Sequence, residues 1–269
     1  EIIKELSCSR HSKVYLVRHR ILDVYRVAKI FSGNQQDARR LMKEAHLIKN
    51  LKHPHIPVIY DIEQNIGEDN DSICIIEEYI DGKSLRQYVH DETDTRGYLS
   101  VHEICRIGIE LCCILEYLHG YNGNGILHMD IKPDNIMLDK DGKVKLIDYD
   151  NAVEGNAGLT VESGSPLYAA PEQYNREKAV IQSDIYSLGM VILFMVSHGH
   201  IVTDENHKLS EISSRYSSLY HVINKSLHHE WGLRYSSVTY LKQELQSIMN
   251  WGGGTDEKLS YIIQVAGDK

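Results

Sequence analysis

His128-Met129-Asp130-Ile131-Lys132-Pro133-Asp134-Asn135-Ile136 sets a carboxylate, an amine and a carboxamide on one short loop. Asp130 can accept the proton of an attacking hydroxyl. Lys132, two residues on, can balance charge on a phosphoryl group in transit, and the amide oxygen of Asn135 can hold a hard divalent ion. Phosphoryl transfer needs those three groups together. The same run would also suit an ordinary polar loop after a helix, so the reading depends on what lies at matching distances.

Downstream, Asp139-Lys140-Asp141-Gly142 followed by Val144-Lys145-Leu146-Ile147 predicts a hairpin with an Asp-Gly turn. That hairpin would return Asp148 to the loop, where Asn135 and Asp148 can share one metal ion. An ordinary strand ending in an exposed Asp would not explain the pairing.

With these segments the chain resembles a eukaryotic-type Ser/Thr protein kinase, bacterial in style, over about residues 6–248. The resemblance implies an α+β, bilobal protein-kinase-like fold. Its small strand-rich lobe would cover residues 1–81 and a mostly helical lobe residues 82–250, with a polar tail of unread role over 251–269. It also implies ATP and Mg²⁺ or Mn²⁺ as cofactors, and a protein substrate with a Ser or Thr acceptor.

Site residues follow from the matching positions. Val27-Ala28-Lys29 is similar to the third-strand motif whose Lys holds the nucleotide's first phosphates. Leu41, Ala45, Ile48 and Leu51 recur at helical spacing and predict an amphipathic helix over Gln36–Leu51, stopped by His53-Pro54. Glu44 on that helix falls where the family pairs a Glu with the strand Lys. The strand ending in Glu77-Glu78-Tyr79-Ile80 leads into a hinge. There the resemblance assigns the backbone of Glu78 and Ile80 to adenine, with Val14 and Ala28 above the base and Met137 below. Catalytic roles fall on Asp130, Lys132, Lys29 and Glu44, and metal-holding roles on Asn135 and Asp148. Gly164-Ser165-Pro166-Leu167-Tyr168-Ala169-Ala170-Pro171-Glu172 resembles the peptide-binding segment, with Ser165 on Asp130 and Lys132. Asp184 would cap the catalytic loop, and Arg234 would pair with Glu172.

Four departures from the family pattern bear on activity. Ser7, Ser9 and Ser12 stand at the three positions of the Gly-rich loop. A Cβ there costs roughly 1–2 kcal/mol in a left-handed conformation, while hydroxyls and the charges of Arg10 and Lys13 compensate, so nucleotide binding is expected to be weakened and not lost. Glu77 brings a carboxylate to the back of the nucleotide pocket, where it needs a partner: Lys29, neighbouring backbone, or a one-residue slip of the strand. Met129 replaces the Arg that receives a phosphorylated activation loop, so Thr160 and Ser163 would lack the usual charge partner. Asp148-Tyr149-Asp150 replaces Asp-Phe-Gly, with Tyr149 expected to pack against Ile48, Ile59 and His128. Two readings stay open, an active Ser/Thr kinase and a kinase-fold module that binds nucleotide or scaffolds without transfer.

Composition excludes little more. A net charge of −9 argues against nucleic acid or an acidic membrane surface as main partner, since both need a basic footprint. No apolar run approaches the roughly 18 residues of a membrane span, and no signal peptide is visible. Five cysteines, three of them on one predicted helix, do not form a disulfide framework, and a reducing, cytosolic compartment is expected. The 15 histidines include no set at zinc-like spacing. The oligomeric state is not readable.

Overall fold

The computed structural model describes residues 1–8, 12–32, 42, 45, 47–64, 72–155, 165–175, 178–200 and 214–251. Its first part is a five-stranded antiparallel sheet of β1 (Ile2–Cys8), β2 (Ser12–His19), β3 (Val24–Ser32), β4 (Ile59–Gln64) and β5 (Ser72–Glu78), in the order β1-β2-β3-β5-β4. The β-branched and aromatic residues of β3 and β5 favour strand. Strand β1 is exposed along its whole length and forms one edge.

Side chains alternate across a sheet, and directly opposed residues share a face. The register opposes Lys29 to Val14 on one side and Ile75 on the other, and Val27 to Leu16 and Glu77. Phe31, Ile73 and Ile75 on this same face pack around Ala45. Met42, Ala45, Leu47 and Ile48 are helical, as expected within Gln36–Leu51, and Glu44 lies outside the described residues.

The second part is largely helical, as the two-lobe expectation required. It contains β6 (Gly82–Ser84), α1 (Leu85–Arg96), α2 (Val101–His119), β7 (Ile126–Leu127), β8 (Ile136–Asp139), β9 (Val144–Leu146) and β10 (Val153–Glu154), then α3 (Pro171–Tyr174), α4 (Ile181–Val196), α5 (Ser217–Ser226) and α6 (Val238–Trp251). Helices α1 and α2 each start in a capping box, Ser84 with Gln87 and Ser100 with Glu103, which satisfies amides left open at a helix start. Helix α4 is apolar around nearly its whole circumference and runs through the core between α2 and α5. Gly189 permits the close approach of α4 to α5, because a Cβ there would lie 2.6 Å from that of Ser226.

Residues 79–81 join the two parts without regular structure. The strand that follows pairs β6 with β8, and a Cβ at Gly82 would fall 1.9 Å from the carbonyl oxygen of Leu138. No helix of the described residues is long and apolar enough to cross a membrane. Cys74, Cys105, Cys112 and Cys113 form no disulfide, with Cys105 and Cys112 buried on α2.

Candidate active site

The loop between β7 and β8 hangs from a buried carboxylate. Asp184, in the first turn of α4, accepts the backbone N–H groups of His128 at 3.0 Å and Met129 at 2.9 Å, and His119 Nε2 lies 2.8 Å away. Burial raises the Asp184 pKa, but the His119 hydrogen bond and charge, with His128 and the Met129 amide, outweigh it and hold it low. These bonds, with that from Gln173 Nε2 to the Met129 carbonyl, hold Met129 in a left-handed conformation (φ 64°) that a non-glycine residue rarely adopts. The Met129 side chain packs with Leu127, Val153 and Ala179.

That backbone presents Asp130. Its Oδ1 accepts from Ser165 N at 3.1 Å and Ser165 Oγ at 2.9 Å, and its Oδ2 from Lys132 Nζ at 2.8 Å and Asn135 Nδ2 at 3.1 Å. Lys132 also donates to Ser165 Oγ at 2.7 Å. Every one of these contacts is a donor, so Asp130 is oriented as an acceptor. Asn135 Nδ2 donates as well to the Asp130 carbonyl at 2.9 Å, and this orients the amide.

Asp148 reaches the same place by a backbone link, since Ile147 N donates to the Asn135 carbonyl at 2.8 Å. Like Met129, Asp148 has a φ of 64°. The next residue, Tyr149, is buried in the main core with Ile48, Ile59 packed alongside, and its ring lies 4.7 Å from that of His128. Its hydroxyl donates to the Leu146 carbonyl at 3.2 Å.

Across the cleft, the Lys29 ammonium meets Asp148 Oδ1 at 3.0 Å and Asp150 Oδ1 in closer contact. Burial pushes the Asp148 carboxyl up, Lys29 pulls it down, and Asp150 pushes it up again. Glu77 stands on the same sheet face as Lys29. Among the described residues no donor bonds its carboxylate, so neither the ion pair nor the backbone contact considered from sequence forms; the pairing with β3 is in regular register at Glu77, whereas on the β4 side an irregularity between Ile59 and Asp61 lies opposite Glu77 and Ile76. Burial is the main force raising its pKa to about 7, opposed by Lys29 and reinforced by Asp148 and Asp150.

The register also corrects one pocket residue. Ala28, expected above the base beside Val14, opposes Tyr15 and Ile76 on the other sheet face. Val27, two residues from Lys29, shares the face of Val14 and Lys29 instead. Met137 is half-buried on β8, opposite Lys145 and Ser84. At the hinge, Glu78 N donates to the Val58 carbonyl at 2.9 Å, the Glu78 carboxylate pairs with Lys145, and Ile80 is buried. Ser7 is exposed on β1 opposite Val14, and Ser12 opens β2. Ser9, Arg10, Thr160, Ser163 and Gly164 lie outside the described residues.

Beyond Ser165 the chain turns through Leu167 (φ 79°) into α3. Glu172 there accepts from both terminal nitrogens of Arg234 at 2.7 and 2.8 Å. One contact was not anticipated. Arg86 on α1 holds Asp134 of the catalytic loop bidentately at 2.7 and 2.8 Å, which keeps the Asp134 carboxyl low chiefly through the hydrogen bond.

Among the described residues near Lys29, the carboxylates of Asp148, Asp150 and Glu77 outnumber that one ammonium. Such an excess of negative charge, with the oriented Asn135 amide, fits a hard divalent cation. Two protein ligands would leave its other positions to phosphate and water, as is usual for Mg²⁺.

Comparison with known proteins identifies the family and the fold. The protein kinase domain family model matches residues 3–254. The Bacillus subtilis serine/threonine-protein kinase PrkC is 31% identical over 218 residues, 78% of this chain and 32% of PrkC. Mouse sperm motility kinase 2A is 30% identical over 200 residues, 73% of this chain and 38% of that protein. The chain thus spans about a third of the length of these relatives. The kinase domain of Mycobacterium tuberculosis PknI superposes with a TM-score of 0.73 at 23% identity, over 91% of this chain and 94% of that one, a likeness of fold. The chain belongs to the protein kinase family and is homologous to its Ser/Thr members.

Proposed function

We propose that this chain transfers the γ-phosphoryl group of ATP to Ser or Thr hydroxyls of proteins. The network of Asp130, Lys132, Ser165 and Asn135 carries this reading, because it assembles an oriented carboxylate, a cation beside it and an amide oxygen at one point. Asp130 would accept the proton of the acceptor hydroxyl as that oxygen bonds to the γ-phosphorus and the bond from that phosphorus to the β–γ bridging oxygen breaks, leaving ADP. Lys132 would offset the charge gathering on the phosphoryl oxygens. Lys29 would hold the nucleotide's first phosphates, and Val14 and Val27 would cover the base opposite Met137, with the Glu78 and Ile80 backbone at its edge. A divalent ion held by Asn135 and Asp148 would neutralise the phosphates. The residues 1–81 and 82–250 serve in this reading as the two walls of the cleft.

A second reading, a nucleotide-binding module without transfer, draws on Glu77 and on the two carboxylates at Lys29. One experiment separates them: the chain is incubated with γ-labelled ATP, Mg²⁺ or Mn²⁺ and a generic basic protein, beside Asp148→Ala. Label on Ser or Thr that vanishes in the variant supports the kinase. Heat-stabilisation by nucleotide without label on either protein would replace it with the second reading.

A further inference from the structure

Lys29 is the amine that nucleotide phosphates would need, and two carboxylates already hold it. Asp148 has a second use in the reading above, on the metal. Asp150 has no metal role in that reading, and its carboxylate makes the closer contact with the ammonium. The Lys29 side chain is only 11% exposed, whereas those of Asp148 and Asp150 are 34% and 35% exposed. A phosphate oxygen therefore reaches this ammonium by displacing one of its partners.

Of the two carboxylates, Asp150 is the one outside the metal-holding pair. Asp148 is tied through Ile147 to Asn135, and Tyr149 is locked in the core. Asp150 follows Tyr149 in a turn closed by Ala152 N on the Tyr149 carbonyl at 2.9 Å. Its carboxylate turns back to Lys29 across 121 residues of sequence. A residue without a side-chain anion at this position would leave one carboxylate fewer on the ammonium.

We propose that Asp150 is an internal competitor for the phosphates of ATP, holding Lys29 in the nucleotide-free chain and yielding it when phosphate arrives. It lowers phosphate affinity without touching the reacting atoms. The proposal rests on the reading of the cleft as an ATP site, and it does not require that transfer occur.

The test is titration of the whole chain with ATP, ADP and adenosine at pH 8 in metal-free buffer, comparing wild type with Asp150→Asn and Asp150→Gly. Loss of the contact should tighten ATP and ADP roughly three- to tenfold, the range that a partly exposed ion pair supports. Adenosine, which has no phosphate, should bind unchanged. Glu77→Gln removes a charge from the same face without a contact to Lys29 and should give a smaller gain. ATP binding unchanged or weakened in both Asp150 variants would overturn the proposal, as would an equal gain in Glu77→Gln. Binding without phosphoryl transfer would remove the kinase reading and leave this one standing. If wild type and variants bind none of the three compounds, both fall.

Discussion

Replacing Glu77 with Gln should stabilise the chain, and increasingly so as pH rises. Gln keeps the shape of the neutral acid and removes its ionisation. The Glu77 carboxyl titrates at about 7 in the fold against 4.5 for an ordinary Glu, raised first by burial. A raised carboxyl pKa means that the folded chain holds a proton the unfolded chain has released. The stability linked to that proton is complete below pH 4.5, fades as pH climbs through about 7, and is gone above. Each tenfold change in proton affinity is worth about 1.4 kcal/mol, so the full penalty at pH 8.5 would be about 3 kcal/mol. The side chain keeps some contact with water, which reduces this to about 1–2 kcal/mol. Denaturant unfolding of wild type and Glu77→Gln at pH 5.5 and 8.5 reads the effect as a double difference, cancelling every other titrating group. The variant's advantage should grow by about 1 kcal/mol between the two conditions. An advantage independent of pH, or a variant less stable than wild type at pH 8.5, would show that Glu77 is solvated or bonded and refute the reasoning.

Two further predictions concern the helical part. Arg234→Ala leaves Glu172 buried without its partner and removes bonds to the carbonyls of Gln182, His228 and His229; unfolding should show a loss of about 3–5 kcal/mol, and a loss below about 1 would contradict it. Thr160→Ala with Ser163→Ala should retain phosphoryl transfer in the labelled-ATP assay, because Met129 offers no guanidinium for a phosphate there. Complete loss of transfer in a folded double variant would show that loop phosphorylation is required.

The catalytic loop was legible because its chemistry sits within a few residues, and the structure places Asp130, Lys132 and Asn135 around one hydrogen-bonded centre. The helix around Ala45 and the hairpin before Asp148 were legible from periodicity and turn residues. Ala28 was misread although the signal was present: alternation puts residue 27, not 28, on the side of Lys29. Glu77 could be located but not paired, since its lack of a donor depends on three strands meeting in space. The bond between Arg86 and Asp134 joins residues 48 apart that carry no shared pattern. Asp150 was noticed as a missing glycine, and only the fold shows that its carboxylate finds Lys29.

Strand β9 and the two residues after it make three of the ties between the parts of the molecule. Lys145 holds the Glu78 carboxylate, Leu146 N donates to the His55 carbonyl at 3.0 Å, and Asp148 meets Lys29. These ties lie within four consecutive positions, so one short segment reaches from the hinge strand to the Lys29 site. The same short segment therefore sets where the hinge strand, the loop before β4 and Lys29 stand relative to the catalytic loop.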